Sequence, residues 1–130
     1  MKRRSLAIML VILTGVSVFF TGLTSAHNID LKKAREVARD YARSVRDESG
    51  GKYAHYSTNC VAAFPNHNHI ARCEISYTNA EDEKKGVYTC RELIEIKMMA
   101  HDTGWGYTLF GYHVQGQCGS KRLNGQIVSN

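Results

Sequence analysis

The chain has 130 residues, with 17 Lys and Arg against 12 Asp and Glu, six His, and a formal net charge of +5. Apolar residues at 43% and charged residues at 22% suit one small globular domain and exclude intrinsic disorder. Taking Lys2, Arg3 and Arg4 away with a leader leaves 14 of the 17 basic residues against 12 acids, a net of +2 with no Lys/Arg block, which argues against nucleic acid as the main partner.

Residues 1–26 read as a secretory signal peptide. Lys2-Arg3-Arg4 is its positive start, Ser5 to Phe20 its apolar run, and Thr24-Ser25-Ala26 a small-residue cleavage site that would leave His27 first. The alternative is an uncleaved anchor, since an apolar stretch of about 18 residues is near the lower limit for a membrane span. Cys60, Cys73, Cys90 and Cys118 follow. An even count without a C-x-x-C pair favours two disulfides over zinc and points to a periplasm or the extracellular space.

Asp30 can cap a helix in which Leu31, Ala34, Val37, Ala38, Tyr41, Ala42 and Val45 recur at helical spacing, stopped by Gly50-Gly51. From Lys52 the period becomes two. Tyr53–Phe64, Ile70–Asn79, Gly86–Met99 and Gly104–Cys118 read as strands separated by polar turns. Residues 119–130 are a loose tail, or carry a short edge strand at Gln126-Ile127-Val128.

In an antiparallel hairpin the numbers of paired residues sum to a constant. Pairing Cys60 with Cys73, Cys73 with Cys90, and Cys90 with Cys118 centres each turn in an independently expected loop. The expectation is an α+β domain over residues 27–118. One amphipathic helix lies on a curved four-stranded antiparallel meander, with all four cysteines in one row on the helix side. Cys60–Cys73 with Cys90–Cys118 is the favoured pairing, although a bulge could change it. The layout resembles that of cystatin-like and NTF2-like α+β folds, in element order alone. Alternation then puts Ile75, Tyr77, Ile94, Ile96, Met98, Phe110, Tyr112 and Val114 inside. It puts Arg72, Glu74, Glu95, Lys97, Tyr107, Leu109, His113 and Gln115 outside.

No catalytic residue, cofactor or metal ligand is assigned. His67 and His69 could present two imidazoles, but a polar turn explains them, and His101 falls about 20 Å further along at 3.3 Å per residue. Glu95 and His113 are expected as direct cross-strand neighbours, which allows a charge pair or a hydrolase or nuclease centre with His55. Glu92 breaks the pattern by falling on the apolar side, where a bulge, the sheet margin or a partner in Arg43 or Arg46 could accommodate it. Tyr41, Tyr56, Phe110 and Tyr112 could line a carrier cavity. Recognition residues are easier to nominate: Trp105, Tyr107, His101 and Asp102 on the third hairpin, with His67 and His69 on the first. The functional expectation is a non-enzymatic exported binding protein. Its partner would be another exported or envelope protein that it inhibits, protects or assembles with. Stable membrane insertion is not expected once the leader is cleaved, and Tyr107 and Leu109 on the polar face would allow a homodimer.

Overall fold

The structure is a computed structural model that describes residues 28–63, 69–101 and 106–128. The order is α1 (Leu31–Glu48), β1 (His55–Ala62), β2 (Ile70–Thr78), α2 (Ala80–Lys84), β3 (Cys90–Ala100), β4 (Tyr107–Gln115) and β5 (Asn124–Ile127). The strands form one antiparallel sheet in the order β1-β2-β3-β4-β5. The fold is thus α+β as expected, with five strands rather than four. Residues 1–26, His67, Asp102 and Trp105 lie outside the described residues.

Asp30 starts α1 by accepting a hydrogen bond from the Lys32 backbone N–H at 2.8 Å. Ala34, Val37, Ala38, Ala42 and Val45 form its buried stripe. Alanine at three of these five positions lets the helix approach the sheet closely. Beneath it Ala71, Cys73, Ile75, Tyr77, Ile94 and Ile96 are fully buried. The disulfides are Cys60–Cys73 and Cys90–Cys118, and all four cysteines lie in or against this core.

Two features of the sheet differ from the sequence expectation. The first is register. Cys73 faces Ile94 and Cys90 faces Tyr77, a slip of four residues from the expected Cys73–Cys90 pairing. The cause is α2, a helical turn where a tight loop was expected. The Asn79 side chain caps it by accepting from Glu81 and Asp82 N–H, and three acidic residues favour its N-terminal turn. This turn consumes residues that would otherwise begin β3. The cysteines therefore share a face but not a row, with Cys90 about 13 Å along β3 from the level of Cys73.

The second difference is an inversion of β4. Leu93 pairs with Gln115 but Ile94 pairs with His113, so Val114 is an extra, bulged residue. A one-residue slip sends every later side chain to the opposite face. Tyr107, Leu109 and His113 therefore belong to the helix side, and Phe110, Tyr112 and Val114 to the outer side. A second bulge separates β5 from β4: Gly111 pairs with Gln126 and Tyr112 with Asn124, leaving Gly125 as the extra residue with φ of +73°. Gly111 needs to be glycine for a different reason. A Cβ there would strike the Val128 side chain and press on Leu123, both of which cover the core at this end.

Candidate functional site

The β4 inversion carries His113 into the interior and away from its expected partner. Glu95 faces Tyr112 on the outer side and binds Arg72 at 3.0 Å and Lys97 at 3.7 Å. His113 Nε2 instead lies 3.2 Å from Oε2 of Glu92. Glu92 is the apolar-face acid that the alternation pattern singled out. Its carboxylate is wholly inaccessible and the His113 side chain is 5% exposed.

Four donors surround the carboxylate. The Tyr77 hydroxyl donates to Oε1 at 2.8 Å. Oε2 accepts from the Cys118 backbone N–H at 3.0 Å, from the Tyr41 hydroxyl at 3.4 Å, and from His113. The Leu123 backbone N–H donates to His113 Nδ1 at 2.8 Å, which fixes the ring proton on Nε2. His113 is therefore a neutral donor, and the negative charge is held by hydrogen bonds alone. An imidazolium could not accept from Leu123. The expected partners Arg43 and Arg46 turn outward, to Asp40 and Asp47.

These contacts tie together α1, β2, β3, β4 and the segment after β4. Tyr53 adds a further clamp, stacking on Tyr77 at 4.9 Å between centroids and donating from its hydroxyl to the Cys118 carbonyl at 3.1 Å. No buried side-chain nitrogen or oxygen lacks a partner among the described residues. Carboxylate, imidazole and phenol together could relay a proton. Here, however, the carboxylate has no surface and both of its oxygens are already bonded by the chain. The arrangement positions elements rather than offering a reacting atom to substrate. Only Tyr41 reaches outward, into a groove of about 230 Å³ shared with Ser44, Glu48, Lys121 and Leu123.

Burial, then the nearby Glu92 charge, pushes the Tyr41 and Tyr77 hydroxyls well above tyrosine's ordinary value of 10.0. A raised folded-state value means that the stabilisation is complete below the unfolded value and is lost as pH rises through the folded one. Unfolding free energy measured by urea titration on either side of pH 10.0 is therefore expected to decline on the alkaline side. Tyr77→Phe should flatten that decline. An identical slope in the variant would show that Tyr77 ionisation plays no part.

The other expected residues are placed as follows. Tyr107 is exposed at the α1 N-terminal end, with Lys33 Nζ 5.8 Å from its ring centre. His101 Nε2 lies 2.6 Å from Thr108 Oγ1 on the outer face. The His69 carbonyl accepts from Met98 N–H at 2.8 Å. His69 is thus level with Met98, three residues short of His101, and the expected separation of about 20 Å shrinks to about 10 Å. His55 sits at the far end of β1, 3.5 Å from Glu83, so it does not meet His113 and a two-histidine centre is not formed. The carrier cavity is not assembled either, because Phe110 and Tyr112 face outward while Tyr41 faces the groove beside α1. No group of three or more His, Cys, Asp or Glu is placed to hold a metal ion among the described residues. No described helix is long and apolar enough to cross a membrane.

Tyr41 and Tyr77 were recognisable in the sequence as inward-facing residues, and Glu92 as a misfit. Their meeting with His113 was hidden by the bulge at Val114. No family model matches the chain, and neither a curated protein nor a solved structure matches it, so the likeness to cystatin-like and NTF2-like layouts stays one of element order.

Proposed function

We propose that this is a small exported binding protein without catalytic activity, which works by contact with another exported or envelope protein after loss of residues 1–26. Two disulfides favour an oxidising compartment, the periplasm or the outside of the cell. The observation that carries the reading is an apolar set on the sheet face that α1 leaves uncovered. Met99 is 50% and Ile127 59% exposed. Phe110 lies directly opposite Ile127, and the Tyr112 hydroxyl lies 4.0 Å from Met99 Sδ. Lys97 stacks on Tyr112 with Nζ 4.8 Å from the ring centre. Aromatic, methionine and cationic side chains gathered in this way are the composition of interface cores. The set continues through Thr108 to His101, toward the end of the sheet where Ile70 begins β2. Of the nominated hairpin residues, His101 would then extend the same contact surface, while Tyr107 lies on the helix side.

The experiment is capture of a partner from the native envelope fraction by the mature domain, with affinity measured against the purified partner. Met99→Ser/Ile127→Ser is expected to weaken binding about thirtyfold, the cost of losing a contact centre worth 2 kcal/mol. Trp105→Ala with His67→Ala and His69→Ala tests the inhibitor form of the proposal, in which the loops enter a partner's cleft. Unchanged affinity in both variants would remove this surface from the contact.

A further inference from the structure

The opposite side of the molecule carries a second surface. Strand β1 is an edge of the sheet, eight residues long. Ala63 N–H donates to the Ile70 carbonyl at 3.0 Å, and the register continues from there through Val61–Arg72, Asn59–Glu74 and Ser57–Ser76. In an antiparallel ladder hydrogen-bonded pairs alternate with non-bonded ones. Odd-numbered β1 residues therefore direct N–H and C=O toward β2, and Tyr56, Thr58, Cys60 and Ala62 direct theirs outward. The Cys60–Cys73 Cα separation of 4.0 Å suits the non-bonded position that this alternation requires. No backbone partner meets those outward groups among the described residues.

The helix flank above this edge is basic. At 3.6 residues per turn Lys32, Arg35, Arg39 and Arg46 fall within about 60° of one another, beside the buried stripe. Arg39, Arg46, His55, Tyr56, Ser57 and Thr58 line a cleft of about 490 Å³ between helix and strand. Arg46 stacks on Tyr56 at 5.3 Å while also binding Asp47, and Arg39 has no ion pair among the described residues. Main-chain groups and fixed positive charge thus face one cleft.

We infer that β1 is a docking edge for an extended acidic segment of another protein, which adds to the sheet as a sixth strand and sets alternate Asp or Glu side chains under Arg39 and Arg46. Backbone bonds supply affinity in such strand addition, and the alternate side chains supply selectivity. A second copy of this chain is disfavoured there, because antiparallel pairing of two β1 edges sets one basic flank against the other. A nucleic acid would use the arginines but not the ladder. The surface is separate from the Met99–Ile127 face, so failure here would leave the proposed function standing, and the reverse also holds.

The test uses the disulfide-intact mature protein and a capped peptide of β1's own length that alternates Glu and Thr, with a Lys/Thr peptide as control. The acidic peptide is expected to bind at least tenfold more tightly than the control. It should slow hydrogen exchange at the amides of Tyr56, Thr58, Cys60 and Ala62, leaving Ser57, Asn59 and Val61 unchanged. Thr58→Pro deletes one outward donor at a position where an edge strand tolerates proline, and should weaken binding about tenfold. Arg39→Glu/Arg46→Glu should abolish it while leaving the far-ultraviolet circular dichroism intact. The inference is overturned by equal binding of both peptides or by no binding, in which case the arginines only guard the edge. It is equally overturned by binding without amide protection, which a short heparin fragment would then reproduce, or by a dimer sealed along β1.

Discussion

Glu92→Ala is expected to cost about 3–5 kcal/mol of unfolding free energy, because each buried donor left without its acceptor costs about 1–3 kcal/mol. The deletion strands Tyr77 Oη and the Cys118 backbone N–H, and leaves Tyr41 Oη and His113 Nε2–H only each other, 3.2 Å apart. The loss is large because the partners stay buried, not because the bonds are individually strong. Glu92→Gln should be milder. Its carbonyl oxygen can face Cys118 and His113 while its amide donates to the Tyr77 oxygen, which accepts as readily as it donates. Urea titration of the two variants, read by tryptophan fluorescence and by far-ultraviolet circular dichroism, checks both values. A loss below about 1 kcal/mol for Glu92→Ala would mean that water enters the site, and the sealed network would be wrong.

Cys90→Ala/Cys118→Ala is the second large expected effect. The bridge spans 28 residues, against 13 for Cys60–Cys73. Loop-closure entropy alone predicts a loss of about 3–4 kcal/mol for the longer loop, somewhat more than for the shorter. The longer bridge also holds the Cys118 N–H against Glu92, so its removal should loosen residues 118–128 first. Hydrogen exchange should then report faster Leu123 exchange than in Cys60→Ala/Cys73→Ala. Equal protection of Leu123 in the two variants would show that the buried anion, not the disulfide, anchors this segment.

Much of this fold was legible where local chemistry decides structure. The Asp30 cap, the alanine-rich stripe of α1 and the Cys60–Cys73 register all follow from residue type and spacing. The disulfide pairing also followed, whereas the intervening Cys73–Cys90 register, which put all four cysteines in one row, was displaced by four residues. The displacement traces to Asn79, whose side chain caps a helical turn that a polar run such as Glu81-Asp82-Glu83 does not announce. The inversion of β4 had no sequence signal. Val114 is a strong strand former, and nothing in its type marks it as the residue that bulges. That single insertion moved His113 inside and Phe110 and Tyr112 outside. The interior network and the exposed apolar face were therefore both misassigned from sequence. Glu92 was visible as an exception to the pattern, but its four donors come from distant segments and could not be named.

The wide sequence spread of those donors bears on how the molecule matures. If the chain is threaded across a membrane N-terminus first, the anion arrives before the residues that must shield it, the last of which are Cys118 and Leu123. Until they emerge, closure over Glu92 is opposed by an unshielded charge, and the thiols stay within reach of oxidising enzymes. Completion of the interior would then wait for residues 118–123, and a chain arrested before Leu123 would remain open to proteases.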